Sequence, residues 1–253
     1  MTGGGQGEPA VQPCLFMLFP VGARPSAADV RTALERTASG HVSHDPAGRE
    51  AAVVASDWLE LVLDGLTFDL LGLAPGRGLQ APVPRHLIGV KEADIVGCEA
   101  IGIAPGPHLA GAASAMPVVR AMLRLAASLA SEWTAARATF WLPAASAMRR
   151  DLFVAAITGW LHGGPFPALG LVGVAERADG VLATDGLAFF TGQEIMLDAS
   201  LGSDRLAGTR LLIRLIDLMV EQVALAGELE VSLDDGGRLR LVGRGADVAV
   251  SPG

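Results

Sequence analysis

Trp58-Leu59-Glu60-Leu61-Val62-Leu63-Asp64-Gly65-Leu66-Thr67-Phe68-Asp69-Leu70-Leu71 is the stretch that decides the fold. Two apolar-rich segments flank Asp64-Gly65, a dipeptide that tolerates the positive φ of a two-residue hairpin turn. The reading is two antiparallel strands, Trp58 to Leu63 and Thr67 to Leu73. Upstream, Cys14-Leu-Phe-Met-Leu-Phe19 is a continuous apolar run between Pro13 and Pro20, the pattern of a buried strand. Ser26 then stands where an N-cap is needed before a helix ending near Thr37. The polar segment Gly40 to Glu50 reads as a loop, so the chain opens β-α-β-β.

Downstream, Leu79 to Glu92 is interrupted by prolines and reads as a surface loop before a strand, Gly97 to Ile103. Between Gly111 and Ser131 the period changes to 3.6. Arg120, Arg124, Ser128 and Ser131 form one narrow polar stripe on a helix that must otherwise be buried, with Pro117 opening its regular part. Thr139 to Leu142 reads as a short strand. Ser146 reads as the cap of a helix whose apolar face includes Met148, Phe153, Ile157 and Trp160, stopped by Gly163-Gly164. Pro167 to Ala175 and Leu182 to Leu197 read as two strands joined near Asp179-Gly180. Ser203 or Asp204 caps a long helix to Ala226, and Glu228 to Leu233 and Leu239 to Val242 flank a turn at Asp234-Asp235-Gly236-Gly237.

Hairpins interleaved with helices give an α+β fold: a mixed, mainly antiparallel sheet with helices on one face, with two ferredoxin-like halves as the finer expectation. Residues 1–12 are expected to form a flexible tail, and 13–253 a single α+β domain with two subdomains meeting near 144 as its finer division. Gly72-Leu-Ala-Pro-Gly76 and Gly102-Ile-Ala-Pro-Gly106 echo each other and are read as a shared strand-exit turn.

Composition narrows the function. With 253 residues, 51% hydrophobic and 18% charged, the chain needs a large core and is not a disordered linker. Nineteen basic against 27 acidic side chains give a net charge of −8, which provides no footprint for nucleic acid or an anionic membrane surface. The longest apolar stretch, Leu206 to Ala226, carries Arg210, Arg214, Asp217 and Glu221 and is a core helix, not a span. The first residues lack a basic region followed by an apolar one, so a cytoplasmic location is expected. Lys91 is the single lysine and there is no Asn or Tyr. A GxxxxGK[ST] loop, a kinase site and a Cys-His-Asn triad are thereby excluded. Cys14 and Cys98 sit in apolar runs and suggest no disulfide framework.

Five residues stand out as ligand-binding candidates: His108, Arg120, Trp141, Ser146 and Glu194. Pro105-Gly-Pro-His108-Leu-Ala-Gly111 leaves a strand through small residues, where free N–H groups and an imidazole suit an anion. Glu194 lies in an apolar segment, read as sharing a strand face with Phe190 and Met196, while Gln193 points to the opposite face, where an ordinary solvated residue would serve. Burying an unpaired carboxylate favours its protonated form, as general acid–base work requires, and Arg120, Arg124 or His108 is the cation that would pair with it. Trp141 and Ser146 flank a strand-to-helix junction without a G-x-S-x-G elbow. His41, His44 and Asp45 have ligand spacing but lack further ligands, so no metal is assigned, and no cofactor or catalytic residue either. Arg149 and Arg150 fall at a helix start, where cations are disfavoured unless Asp151 or a bound anion offsets them.

Six strings, Phe68-Asp-Leu-Leu-Gly-Leu-Ala-Pro-Gly76, Ala104-Pro-Gly-Pro-His-Leu-Ala-Gly111, Met116-Pro-Val-Val-Arg120, Trp141-Leu-Pro-Ala-Ala-Ser146, Trp160-Leu-His-Gly-Gly-Pro-Phe-Pro-Ala-Leu-Gly170 and Gly186-Leu-Ala-Phe-Phe-Thr-Gly-Gln-Glu194, resemble those of a family of uncharacterised proteobacterial proteins. The resemblance spans most of residues 57–226 and implies no activity, substrate or site residue. The functional expectation is therefore a cytoplasmic protein-binding adaptor or neutralising protein, acting on an unknown protein partner or through self-association as a homodimer. The alternative is a small-molecule-binding protein or enzyme with its site near the 105–111 loop and Glu194.

Overall fold

The computed structural model describes residues 12–46, 57–177, 180–222, 224–233 and 236–253. The first apolar run becomes β1 (Leu15–Phe19), every residue of which is buried. Leu15, Met17 and Phe19 join one core cluster and Phe16 and Leu18 another, so the strand lies at the centre of a sheet covered on both faces. Ser26 caps α1 (Ala27–Thr37) through a reciprocal capping box with Asp29. Then come β2 (His41–His44), β3 (Trp58–Leu63) and β4 (Leu66–Leu71). Asp64 and Gly65 have φ of 52° and 77°, the left-handed pair of a type I′ turn, closed by Leu63 opposite Leu66.

The chain continues through β5 (Leu79–Gln80), β6 (His86–Ile88), α2 (Glu92–Ile95), β7 (Glu99–Pro105), a 3₁₀ segment at Pro107–Ala112, α3 (Met116–Glu132), β8 (Ala138–Trp141), β9 (Ser146–Arg149) and α4 (Arg150–Leu161). The first sheet has the order β2-β3-β4-β7-β1-β8-β9-β6, with β5 also on β7. Because β7 and β8 both run antiparallel to β1, they are parallel to each other with β1 between them, and α3 makes the crossover. Helices α1, α3 and α4 cover one face through Val30, Leu34, Met122, Leu125, Phe153 and Trp160. The opposite face is covered by Leu79, Ala81 and Val90 from the segment that reads as a surface loop, and by Ile95 of α2 just beyond it.

The remaining elements are α5 (Ala168–Leu171), β10 (Gly173–Glu176), β11 (Leu182–Asp185), α6 (Ala188–Thr191), β12 (Glu194–Leu197), α7 (Ala199–Gly202), α8 (Arg205–Val220), β13 (Glu228–Ser232), β14 (Arg238–Arg244) and β15 (Asp247–Pro252). They form a second sheet, β10-β11-β12-β15-β14-β13, antiparallel except where β12 runs parallel to β15. Its buried face, with Ile195, Leu197, Leu239, Leu241, Val248 and Val250, belongs to the same core cluster as Leu212, Leu215 and Ile216 of α8. On β14 the alternate residues Arg238 and Arg240 are exposed, the in–out pattern of an antiparallel strand with one wet side. The fold is α+β with mixed, mainly antiparallel sheets; these strand orders do not confirm a pair of ferredoxin-like halves. No helix among the described residues is long and apolar enough to cross a membrane.

Several local readings are corrected. His41–His44 is an edge strand, not loop: its side chains are largely exposed, so it carries no apolar period. Ser146 belongs to β9 and caps nothing; α4 starts four residues later, after Arg149. Leu182 to Leu197 is not one strand but β11, α6 and β12, and the strand expected from Pro167 to Ala175 is split between α5 and β10. Helix α8 stops at Val220, six residues before its expected end. Gly72 follows β4 whereas Gly102 lies inside β7, so the echoed strings do not share one turn. Residues 1–11, most of the expected tail, lie outside the described residues, as do 47–50 of the expected loop and Asp179, Asp234 and Asp235 of two expected turns.

Candidate functional site

The polar stripe of α3 runs along a groove. Arg120, Arg124 and Ser128 line a groove of about 920 Å³ whose walls come from α4, with Val154, Thr158 and Leu161, and from the β3–β4 hairpin, with Asp64 and Leu66. Arg124 forms an ion pair with Asp64, which ties the type I′ turn to α3. Arg120 behaves differently. Its guanidinium carbon sits 4.5 Å from the centroid of the Trp160 ring, a cation–π contact. Among the described residues no carboxylate pairs with it.

Behind Trp160 an aromatic chain runs inward. Phe166 meets Trp160 edge-on at 5.5 Å, Phe190 meets Phe166 at 5.2 Å, and Trp141 stacks on Phe190 at 6.0 Å and meets Phe189 at 5.2 Å. Trp141 is buried, and its indole Nε1 is the one buried side-chain polar atom without a hydrogen-bond partner among the described residues. Ser146, its cross-strand partner on β9, is also buried and donates its hydroxyl to the Gly170 carbonyl at 2.6 Å, which fastens α5 to the first sheet.

Glu194 opens β12 and folds the preceding segment around itself. Its Oε1 accepts from the backbone N–H of Gly186 at 2.8 Å and Ala188 at 3.1 Å; its Oε2 accepts from the Thr184 hydroxyl at 2.6 Å and the Leu187 N–H at 3.2 Å. Gly186 has φ of 93°, and a Cβ there would lie 2.7 Å from the Pro143 carbonyl oxygen, so only glycine lets the chain turn this close to the first sheet. The carboxylate thus supplies acceptors to the otherwise orphaned donors at the start of α6. Phe190 lies on α6, not on the strand face of Glu194, and Gln193 is buried rather than solvated. The Gln193 amide accepts from the Leu225 N–H at 2.7 Å and donates to the Gly245 carbonyl at 2.9 Å.

His108 is exposed on the 3₁₀ segment, with its Nε2 3.2 Å from the Thr67 hydroxyl. A Cβ at Gly106 would stand 2.2 Å from that same hydroxyl, which would have to turn aside. Nearby, burial raises the pKa of Asp69, the charge of its cross-strand partner Glu60 adds to this, and His108 acts in the opposite sense. Among the described residues no contact joins His108 to Arg120 or Glu194. Arg149 is paired with Asp151 through two hydrogen bonds of 2.5 and 3.0 Å, the local counter-charge expected. Among the described residues no group of three His, Cys, Asp or Glu is placed to hold a metal ion.

Trp141 and Ser146 are therefore neighbours, and Glu194 shapes the helix whose phenylalanines cover Trp141. Arg120 connects to them through the aromatic chain, and His108 stands apart. The sequence reading missed the aromatic chain because Trp160 and Phe166 look like ordinary core positions. It missed Thr184, whose hydroxyl both donates to Glu194 and accepts from the Ile195 N–H at 2.7 Å. Compared with known proteins, the chain matches no family model, no curated protein and no solved structure.

Proposed function

We propose that the protein is a non-catalytic binding protein that holds an acidic, amphipathic segment of a partner protein in the groove over α3. The observation that carries this reading is Arg120, half-buried over Trp160 and without a carboxylate among the described residues. The chain has 27 acidic side chains, yet this guanidinium stands beside the apolar groups of Leu66, Met116, Val154 and Leu161. A ligand that brings a carboxylate on an apolar face satisfies both at once. An enzyme built on Glu194 would need that carboxylate free to move a proton, and its two oxygens already serve four donors of its own segment.

A carboxylate-bearing small molecule is the second reading, favoured by a groove of about 920 Å³, within the range of roughly 300–1,000 Å³ common for ligand sites. Free thiols at Cys14 and Cys98 support a reducing, cytoplasmic setting. Membership of the proteobacterial family is proposed on the six strings alone, and self-association is the remaining partner reading.

The test is an NMR titration of the isotope-labelled protein. One probe is a helical peptide with Leu at i, i+3 and i+4 flanked by Glu; the second carries Gln in place of Glu. The Glu peptide should shift the amides of α3 and α4 and the Arg120 side chain, with the Gln peptide and the Arg120→Glu variant each at least ~10-fold weaker. Groove shifts with benzoate but with neither peptide would transfer the site to a small molecule. Silence from all three probes would remove the groove as a binding site.

A further inference from the structure

A second concavity, of about 530 Å³, lies where the segment around α2 meets the end of the β8–β9 pair and the start of α4, and is lined by Arg137, Arg149 and Arg150 together with Asp94 and Asp151. Its charges divide unevenly. Arg149 is neutralised by Asp151, and a carboxylate oxygen of Asp94 accepts from the Lys91 N–H at 3.0 Å, which fixes that carboxylate at the start of α2 without cancelling its charge. Arg137 and Arg150 remain, and among the described residues neither has a carboxylate partner.

The backbone forces these two together. Ala138 pairs with Arg149 across β8 and β9, and one step further the Arg150 N–H bonds the Arg137 carbonyl at 3.3 Å. Both residues line the concavity, so two cations gather at one end of the β8–β9 pair. Arg150 cannot swing away freely, because its Nη1 donates to the Ala130 carbonyl near the end of α3 at 3.1 Å. A dianionic, tetrahedral group seated in the concavity would accept from both guanidiniums.

We infer that this concavity is a binding site for a phosphoryl group, with Arg137 and Arg150 as its two cationic contacts. Two guanidiniums match the charge of about −1.5 to −2 on a phosphomonoester better than that of a single carboxylate. The net charge of −8 opposes a polyanion, so the phosphoryl group belongs to a small phosphomonoester or a phosphorylated side chain. This inference does not depend on the groove over α3.

The experiment is calorimetric titration of the purified protein, at low ionic strength, with inorganic phosphate, glycerol phosphate and a phosphoserine tripeptide. Inorganic phosphate should bind saturably at one site. Arg137→Ala, which removes no hydrogen bond made by that side chain among the described residues, should weaken it at least ~10-fold, and Arg137→Lys less. Arg77→Ala removes the same charge from an exposed position elsewhere and should leave binding unchanged. The tighter of the two esters identifies the source of the phosphoryl group. Failure of phosphate to saturate, or equal weakening by Arg137→Ala and Arg77→Ala, would overturn the site.

Discussion

Replacing Glu194 by Gln separates a structural carboxylate from a catalytic one, because it keeps the shape and changes only the acceptors. Oε1 serves the Gly186 and Ala188 N–H groups and Oε2 serves the Thr184 hydroxyl and the Leu187 N–H. Gln offers one oxygen, so whichever way its amide turns, an NH₂ group opposes two donors. Each donor left unsatisfied in a half-buried site costs about 1–3 kcal/mol. Some relaxation is open to the Thr184 hydroxyl, which can rotate, so a total of about 3 kcal/mol is expected. For a chain of this size that lowers the melting temperature by roughly 6–12 °C. The assay is urea denaturation of wild type, Glu194→Gln, Thr184→Val and the double variant. The double variant should be less destabilised than the sum of the two single changes, by about 1–2 kcal/mol, because both remove the same contact. A Glu194→Gln protein within ~0.5 kcal/mol of wild type would refute the capping role and return Glu194 to the list of groups available for chemistry.

Three further outcomes follow from separate features. Asp69 has its carboxyl pKa raised above 3.8 by burial and by Glu60, so the folded state binds a proton that the unfolded state has already lost, and stability falls as pH rises from 3.8 through the folded value. Asp69→Asn should therefore be more stable than wild type at neutral pH, by about 0.5 kcal/mol for a like-charged strand pair, and the gain should vanish in denaturation curves recorded below pH 3.8. Burial pushes the Cys14 thiol up to about 12, whereas Cys98 is only part-buried with a smaller rise, so iodoacetamide at pH 8 should label Cys98 first by mass spectrometry; faster labelling of Cys14 in the folded protein would contradict the packing. Gly243→Ala would place a Cβ 2.0 Å from the Leu225 carbonyl oxygen, a backbone atom that cannot rotate away, and should cost about 2 kcal/mol or more in the same urea assay; a neutral effect would mean β14 is free to shift.

The elements legible in the sequence are those whose local chemistry and burial agree. Asp64-Gly65, the Ser26 cap and the stripe on α3 each specify one conformation, and the structure has each of them. The failures come where a tertiary contact overrides a local signal. Ser146 precedes an amphipathic segment as a cap would, but its hydroxyl is taken by Gly170, twenty-four residues away. The run from Leu182 to Leu197 is apolar enough for one long strand, and only the convergence of three N–H groups on Glu194 breaks it. Exposed β2 has no alternation to detect, and β15 alternates too briefly to stand out. For the candidate site, Arg120 was visible as a cation in a buried helix. That its partner is the Trp160 ring rather than Glu194 depends on the packing of α3 against α4, which no local pattern encodes.

The position of β15 bears on how the chain is made. It lies between β12 and β14, so the second sheet is held together by the element that leaves the ribosome after all its other strands. Until Asp247–Pro252 emerges, β10–β12 and the β13–β14 hairpin each present an open edge where β15 will insert. Nascent chains carrying such edges can pair with one another, so vectorial synthesis exposes this half of the protein to chaperones for longer than the first sheet. The same placement means that a chain truncated just short of Asp247 would lack the strand that joins β10–β12 to the β13–β14 hairpin, leaving two unclosed sheet fragments open to proteolysis.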